Sequence, residues 1–235
     1  TRRTAVPPLQ GITTHLGAAT DEWSVKTLID EVIRQARRID LLVNNAGVGL
    51  IGGAEESSIA QVQRLFDVNV FGVTRVVNAV LPLMRAQKSG RIVNMSSILG
   101  LIPSPFNAFY ASTKHAIEGY SESLDHEVRR FGIRVVVVEP GVTKTAFEEN
   151  LTRADRPMAI YAADRARCED LMRKWVEEGD APQIVADTVV KAATASTPKL
   201  RYSAGQQSRM TRAVRRFLPE GVVDRILRKF NGFPP

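Results

Sequence analysis

The chain has 235 residues, 44% apolar and 24% charged, with a formal net charge of +7. That length supports one large core, and the single Cys168 excludes a disulfide framework and points to a reducing, cytoplasmic setting. No run of about 18 apolar residues offers a membrane span, and the basic start at residues 1–8 has no apolar stretch of signal-peptide length.

Strand-like and helical runs alternate along the chain. Residues 12–16 read as a strand, followed by a helix over 21–38 with Asp21 as its cap. A buried strand ending at Val43 runs into Asn44, Asn45, Ala46 and Gly47. A helix over 58–88 follows, then a strand over 91–97, a helix over 108–131 and a strand over 135–138. Beyond these come a helix over 182–196 and a last strand ending near Tyr202. Runs such as Val135 to Val138 do not alternate in polarity, which suits strands covered on both faces. The expectation is an α/β fold: a doubly wound, Rossmann-like parallel sheet with helices on both faces, one domain over residues 1–235. Such sheets bind ligands outside the carboxyl ends of their strands, where Asn45, Ser97 and Gly141 fall.

The chemistry concentrates at Tyr110 and Lys114, four residues apart on one predicted helix, with Ser97 at the end of the preceding strand. Residues at i and i+4 share a helical face, so phenol and ammonium project side by side. A neighbouring cation favours phenolate, which predicts a Tyr110 pKa drawn down from about 10 toward neutrality. The competing reading is a surface helix that carries a Tyr and a Lys one turn apart. Gly47, Gly49 and Gly52 spell Gly-x-Gly-x-x-Gly, but Glu55 and Glu56 follow and the helical pattern starts only near Ser58. These glycines therefore read as a flexible loop and not as a phosphate-binding turn. His15, His115 and His126 lack metal-site spacing, so no metal is expected.

Taken in order, the Asn-Asn-Ala-Gly segment at 44–47, Asn69, Ser97, Tyr110-x-x-x-Lys114 and Pro140-Gly141-Val142-Thr143-Lys144-Thr145 closely resemble the short-chain dehydrogenase/reductase family. The resemblance covers roughly residues 1–145. It implies hydride transfer between a nicotinamide cofactor and a carbonyl or alcohol carbon. Tyr110 would then be the general acid or base, Lys114 would tune it and bond the nicotinamide ribose, and Ser97 would stabilise the carbonyl oxygen. Asn69 would hold a proton-relaying water; the bland alternative is a helix-interior amide bonding its own backbone. Asn45, Ala46 and Gly47 would pass under the adenosine ribose, and Pro140, Gly141, Val142, Thr143 and Thr145 would meet the carboxamide. Arg2 and Arg3 would clamp a 2′-phosphate, which favours NADP(H) over NAD(H).

Two departures accompany the resemblance. The family's opening strand and glycine-rich turn do not precede Gly11, and Ala18 stands where an adenine-bonding Asp is usual. A catalytically weak sensor or scaffold is therefore the alternative to an enzyme. Residues 146–181 would form a lid whose Phe147, Leu151, Met158, Ile160, Tyr161, Leu171, Met172 and Trp175 suit an apolar ketone, aldehyde or secondary alcohol. The helices over 58–88 and 108–131 would build a homodimer or homotetramer. Residues 199–235 hold nine Lys and Arg against two acids, a balance of +7, whereas the remainder is neutral with 23 of each. The basic helical tail over 206–235 reads as a helix on the body, a weak contact to an anionic membrane surface, or a clamp for an acidic substrate. Nucleic acid is not expected, because aromatics do not interleave the arginines.

Overall fold

The computed structural model describes residues 11–145, 147 and 151–233. Its elements run α1 (Glu22–Ala36), β1 (Leu41–Asn44), β2 (Leu50–Ile51), α2 (Ile59–Phe66), α3 (Gly72–Gln87), β3 (Gly90–Met95), α4 (Ala108–Val128) and β4 (Ile133–Pro140). There follow β5 (Thr152–Arg153), α5 (Ala162–Glu177), α6 (Pro182–Thr194), β6 (Arg201–Ala204), α7 (Gln206–Phe217) and α8 (Glu220–Phe230). Four parallel strands lie in the order β1-β3-β4-β6, and β2 pairs separately with β5.

The valine run of β4 explains the layering. Val135 to Val138 are all fully buried although alternate residues point to opposite faces. Val135, with Ile92 of β3, joins a core built with α1, α3 and α4. Val136, Val138 and Val93 face the other way, into a smaller core with Ala192 of α6 and Tyr202 of β6. Helices on both faces remove any solvated side, so an unbroken apolar strand is the stable sequence. Register is set partly by polar groups. Asn44 pairs opposite Asn94, its amide donates to the Asn94 side chain at 2.8 Å, and Asn94 donates to Ser121 of α4 at 2.9 Å.

Three expectations change. Residues 12–16 form no strand: Ile12 and Leu16 are only bridge positions, and both face solvent, so the stretch has no buried side to pin it. The helix over 58–88 is one run, Ile59–Gln87, with a π turn set into it at Asp67–Phe71 that the sequence does not show. Ile59–Gln87 is long and apolar enough to cross a membrane by composition, yet Val73, Val77, Val80 and Met84 pack into the larger core, which makes it a core helix. The tail is two helices, because Leu218 is extended (ψ 145) before Pro219, as a residue preceding proline prefers.

Candidate active site

β3 and α4 bring the candidate catalytic residues together. After β3, Ser97 adopts an extended backbone and caps a single 3-10 turn, Ile98–Gly100, with its hydroxyl accepting from the Leu99 N–H at 3.2 Å. The turn closes tightly: a Cβ on Gly100 would sit 2.5 Å from Ser96 Oγ, 3.1 Å from Glu118 and 3.2 Å from the Lys114 carbonyl. That proximity lets the strand end approach the first turns of α4, where Tyr110 and Lys114 sit. Ser97 lies close enough to the Tyr110 phenol for its hydroxyl to favour the phenolate, and both line one cavity. Lys114 Nζ lies 5.6 Å from the centre of the Tyr110 ring and donates to the Met95 carbonyl at 2.9 Å.

The electrostatics depart from the sequence-based expectation. Burial pushes the Tyr110 phenol up to about 12, and the nearby Ser97 hydroxyl works against that shift. Burial also lowers Lys114 to about 8, opposed by the nearby Glu118 carboxylate. Adjacency on a helix face does not by itself acidify the phenol. The ammonium is drawn to a backbone carbonyl, and desolvation of the phenolate outweighs it.

Asn69 occupies the π turn and is buried. Such wide turns recur at functional positions because they rotate one side chain inward. The Asn69 carbonyl accepts from the Val48 N–H at 2.9 Å, while its amide donates to the Val48 carbonyl at 2.9 Å and to Thr113 Oγ1 at 3.2 Å. It thus clamps the loop after β1 and does not bond its own backbone. Gly47 lies against the same place: a Cβ there would come 3.5 Å from Asn69 Oδ1 and 3.9 Å from Lys114 Nζ. β2 lies within the Gly-x-Gly-x-x-Gly run, which leads into a short 3-10 turn at Ala54–Glu56, and α2 starts only at Ile59, as expected from the sequence.

The turn after β4 completes the rim. Gly141 N–H donates to Ala204 at 3.2 Å and Val142 N–H to the Gln207 side chain at 2.9 Å, while Thr143 bridges to Asp180. Thr145 Oγ1 accepts from Phe147 N–H at 3.3 Å, which leaves its own proton free to donate. Asn45, Gly47, Pro140, Gly141, Val142, Thr143 and Thr145 line the same cavity as Ser97, Tyr110 and Lys114, whereas Ala46 is exposed beside it. Two glycines in that lining, next to an ammonium and a threonine hydroxyl, leave room that fits the nicotinamide end of a dinucleotide. Arg2 and Arg3 lie outside the described residues. Around Ala18, where the resemblance places an adenine contact, Leu16, Gly17, Ala18, Thr20 and Ser24 outline a shallow recess, and Asp21 accepts from the Ser24 N–H at 2.6 Å as the cap of α1.

The cavity is about 770 Å³ and mostly apolar. Phe147, with its ring centre 5.7 Å from that of Tyr110, closes one wall. Leu151, Leu171, Met172 and Trp175 line it as expected, joined by Cys168 and by Phe230 of α8. Met158, Ile160 and Tyr161 do not line it: Met158 and Ile160 face solvent, and Tyr161 packs edge-on against Phe106 while donating to Glu55. Their segment is strapped to the start of α2 instead, through Ser58 to Asp155 and Arg165 to the buried Glu56.

Behind Lys114 lies a buried acidic pair. Glu118 accepts from Arg201, and Glu139, fully buried, accepts from Ser203 at 3.1 Å with Arg201 and Arg212 at 3.6 and 3.7 Å. Burial raises the Glu139 pKa, with Glu118 adding to the rise. Ser208 donates to the Glu139 carbonyl at 2.6 Å, which seats α7 directly beneath the Pro140 turn. Thr113, Gln207 and Ser208 carry no motif that the sequence alone would reveal; only the packing shows that they hold Asn69 and the Gly141 turn.

The short chain dehydrogenase family profile matches residues 10–156. The chain is 33% identical over 214 residues to a 3-ketodihydrosphingosine reductase of Bacteroides thetaiotaomicron, covering 90% of this chain and 80% of that protein. It is 40% identical over 175 residues to retinol dehydrogenase 8 of Bos taurus, covering 71% of this chain and 56% of that protein. Among solved structures, a short chain dehydrogenase/reductase from Burkholderia phymatum in complex with NAD superposes with a TM-score of 0.72 at 25% identity, covering 84% of this chain and 73% of that one. ElxO with NADP bound gives 0.66 at 25% identity, covering 83% and 77%. The chain belongs to the short-chain dehydrogenase/reductase family of NAD(P)-dependent oxidoreductases.

Proposed function

We propose that this protein reduces an apolar ketone or aldehyde, or in reverse oxidises the matching secondary alcohol, with NADP(H) as its partner. The observation that carries this reading is the convergence of Ser97, Tyr110 and Lys114 on one otherwise apolar cavity of about 770 Å³. A bound nicotinamide supplies or accepts the hydride. The substrate carbonyl oxygen sits between the Ser97 hydroxyl and the Tyr110 phenol, where Ser97 stabilises developing charge and Tyr110 delivers the proton. A phenol held near 12 stays protonated at neutral pH, which suits the acid role and hence reduction. Lys114 serves as the ammonium beside the cofactor ribose, and Asn69 holds the loop at Gly47 and Val48 against which the cofactor lies.

The lining residues support a lipid-like substrate, and the names of the two relatives, a dihydrosphingosine-type ketone reductase and a retinol dehydrogenase, point the same way. The NADP(H) preference rests on Arg2 and Arg3 of the sequence. We place the enzyme in the cytoplasm on the strength of its single, buried, unpaired Cys168. A dimer or tetramer through the α2–α3 and α4 faces fits the exposed Ile59 and Phe71. The test is coenzyme consumption with a panel of apolar ketones and aldehydes, run with NADPH and with NADH. A higher kcat/KM for NADPH and for longer apolar carbonyls is expected. Preference for NADH, or for small polar carbonyls, contradicts the corresponding half of the proposal.

A further inference from the structure

The net charge of the chain resides in its last 37 residues, and the structure arranges that charge together with apolar surface. On α7, Gln207, Ser208, Thr211 and Val214 turn inward, while Arg209, Met210, Ala213, Arg216 and Phe217 are exposed. The spacing i, i+1, i+4, i+7, i+8 puts these five on a single outward stripe. Met210 is 61% exposed and Phe217 76%, with the Arg216 guanidinium 5.7 Å from the Phe217 ring centre. α8 repeats the pattern: Val223 is buried, while Arg225, Ile226, Lys229 and Phe230 are exposed on one side. The only acids of residues 199–235, Glu220 and Asp224, lie in the first half of α8.

The apolar side of α8 continues into the cavity. The Phe230 ring stacks flat on Trp175 at 4.4 Å between centres and 12° between planes, and both residues line the substrate cavity while Phe230 remains 47% exposed. A solvated basic helix would place small or polar residues between its arginines. Here large apolar side chains stand there, next to the mouth of an apolar cavity.

We propose that α7 and α8 form a docking surface for an anionic lipid bilayer, with Met210 and Phe217 in the interfacial layer and the arginines on the headgroups. Through the Phe230–Trp175 wall this docking sets the cavity mouth against the membrane, so that apolar substrate and product exchange with lipid and not with water. The docking rests on charge complementarity plus apolar insertion, the two contributions that reversible interfacial binding needs. The exchange route additionally rests on the apolar-substrate reading above.

Cosedimentation with phosphatidylcholine vesicles, with and without phosphatidylserine, tests the docking in the absence of cofactor and substrate. Wild type pellets with serine-containing vesicles at low salt and is released by high salt or by phosphatidylcholine alone. The pairs Arg209→Glu/Arg216→Glu and Met210→Ser/Phe217→Ser each weaken partitioning by roughly tenfold or more. None of the four lines the cavity, so turnover of a short, water-soluble carbonyl stays at the wild-type value in both pairs. That turnover reports the catalytic reading separately from the docking. Absence of pelleting at low salt overturns the proposal. So does pelleting that the charge reversal abolishes but the serine pair leaves intact, which would reduce the surface to general attraction for polyanions.

Discussion

Lys114 shows how a candidate catalytic residue is held at a cost to the fold. It is buried, it donates to the Met95 carbonyl at 2.9 Å, and burial brings its pKa from 10.5 to about 8. A lowered lysine pKa means that the folded state binds its proton less tightly than the unfolded chain. The penalty is therefore complete below about pH 8 and disappears above 10.5. At about 1.4 kcal/mol per unit the penalty has a ceiling near 3 kcal/mol, and losing the bond to Met95 returns about 1. Lys114→Met is thus expected to be more stable than wild type by roughly 2 kcal/mol at pH 7, with the gain shrinking as pH rises through 8 to 10, while activity falls sharply. Urea midpoints at pH 7 and pH 10 check this; a less stable variant at pH 7 refutes it. The expected acidification of Tyr110 fails at the same scale. Spacing places Lys114 beside the phenol, but sequence does not show that a backbone carbonyl competes for the ammonium or how dry the phenol becomes.

At the scale of elements, most of the architecture is legible. The non-alternating run at Val135 to Val138 and the caps Asp21 and Ser58 give the layers and the helix starts, because burial on two faces and orphan N–H groups leave direct marks on sequence. The π turn at Asn69 and the break at Leu218 are less visible, since one is a local insertion into a helix and the other hangs on a single Pro219. Residues 12–16 mislead for another reason: the run reads as a strand, yet a strand needs a partner and a buried face. Two glycines on and beside α4 separate packing from propensity. Gly100→Ala must push the Ser97 turn away from Glu118 and Lys114, so a loss of about 1–3 kcal/mol with reduced kcat is expected. Gly119 meets nothing within 4 Å, so Gly119→Ala gains about 0.5–1 kcal/mol from helix propensity alone. Thermal melts of both variants decide the matter, and equal shifts of the same sign would contradict the tight Gly100 contact.

For the whole molecule, the carboxyl ends of β1, β3 and β4 converge on one cavity, and the tail closes it from beyond the family motif. Ser97, Tyr110, Lys114 and the Gly141 turn are readable because fixed residue types recur at fixed spacing around strand ends. Gln207, Ser208 and the Glu118–Glu139–Arg201 network are not, since they join residues as far as 83 positions apart through packing alone. The tail therefore has a structural share in the site, which its basic composition does not announce. All of this converges on one proton. The most direct test compares Tyr110→Phe with wild type in NADPH oxidation with an apolar ketone, alongside far-UV circular dichroism. The phenylalanine variant is expected to keep its fold and to lose about 10²–10⁴-fold in kcat, the usual contribution of a positioned general acid; undiminished turnover would contradict the assignment.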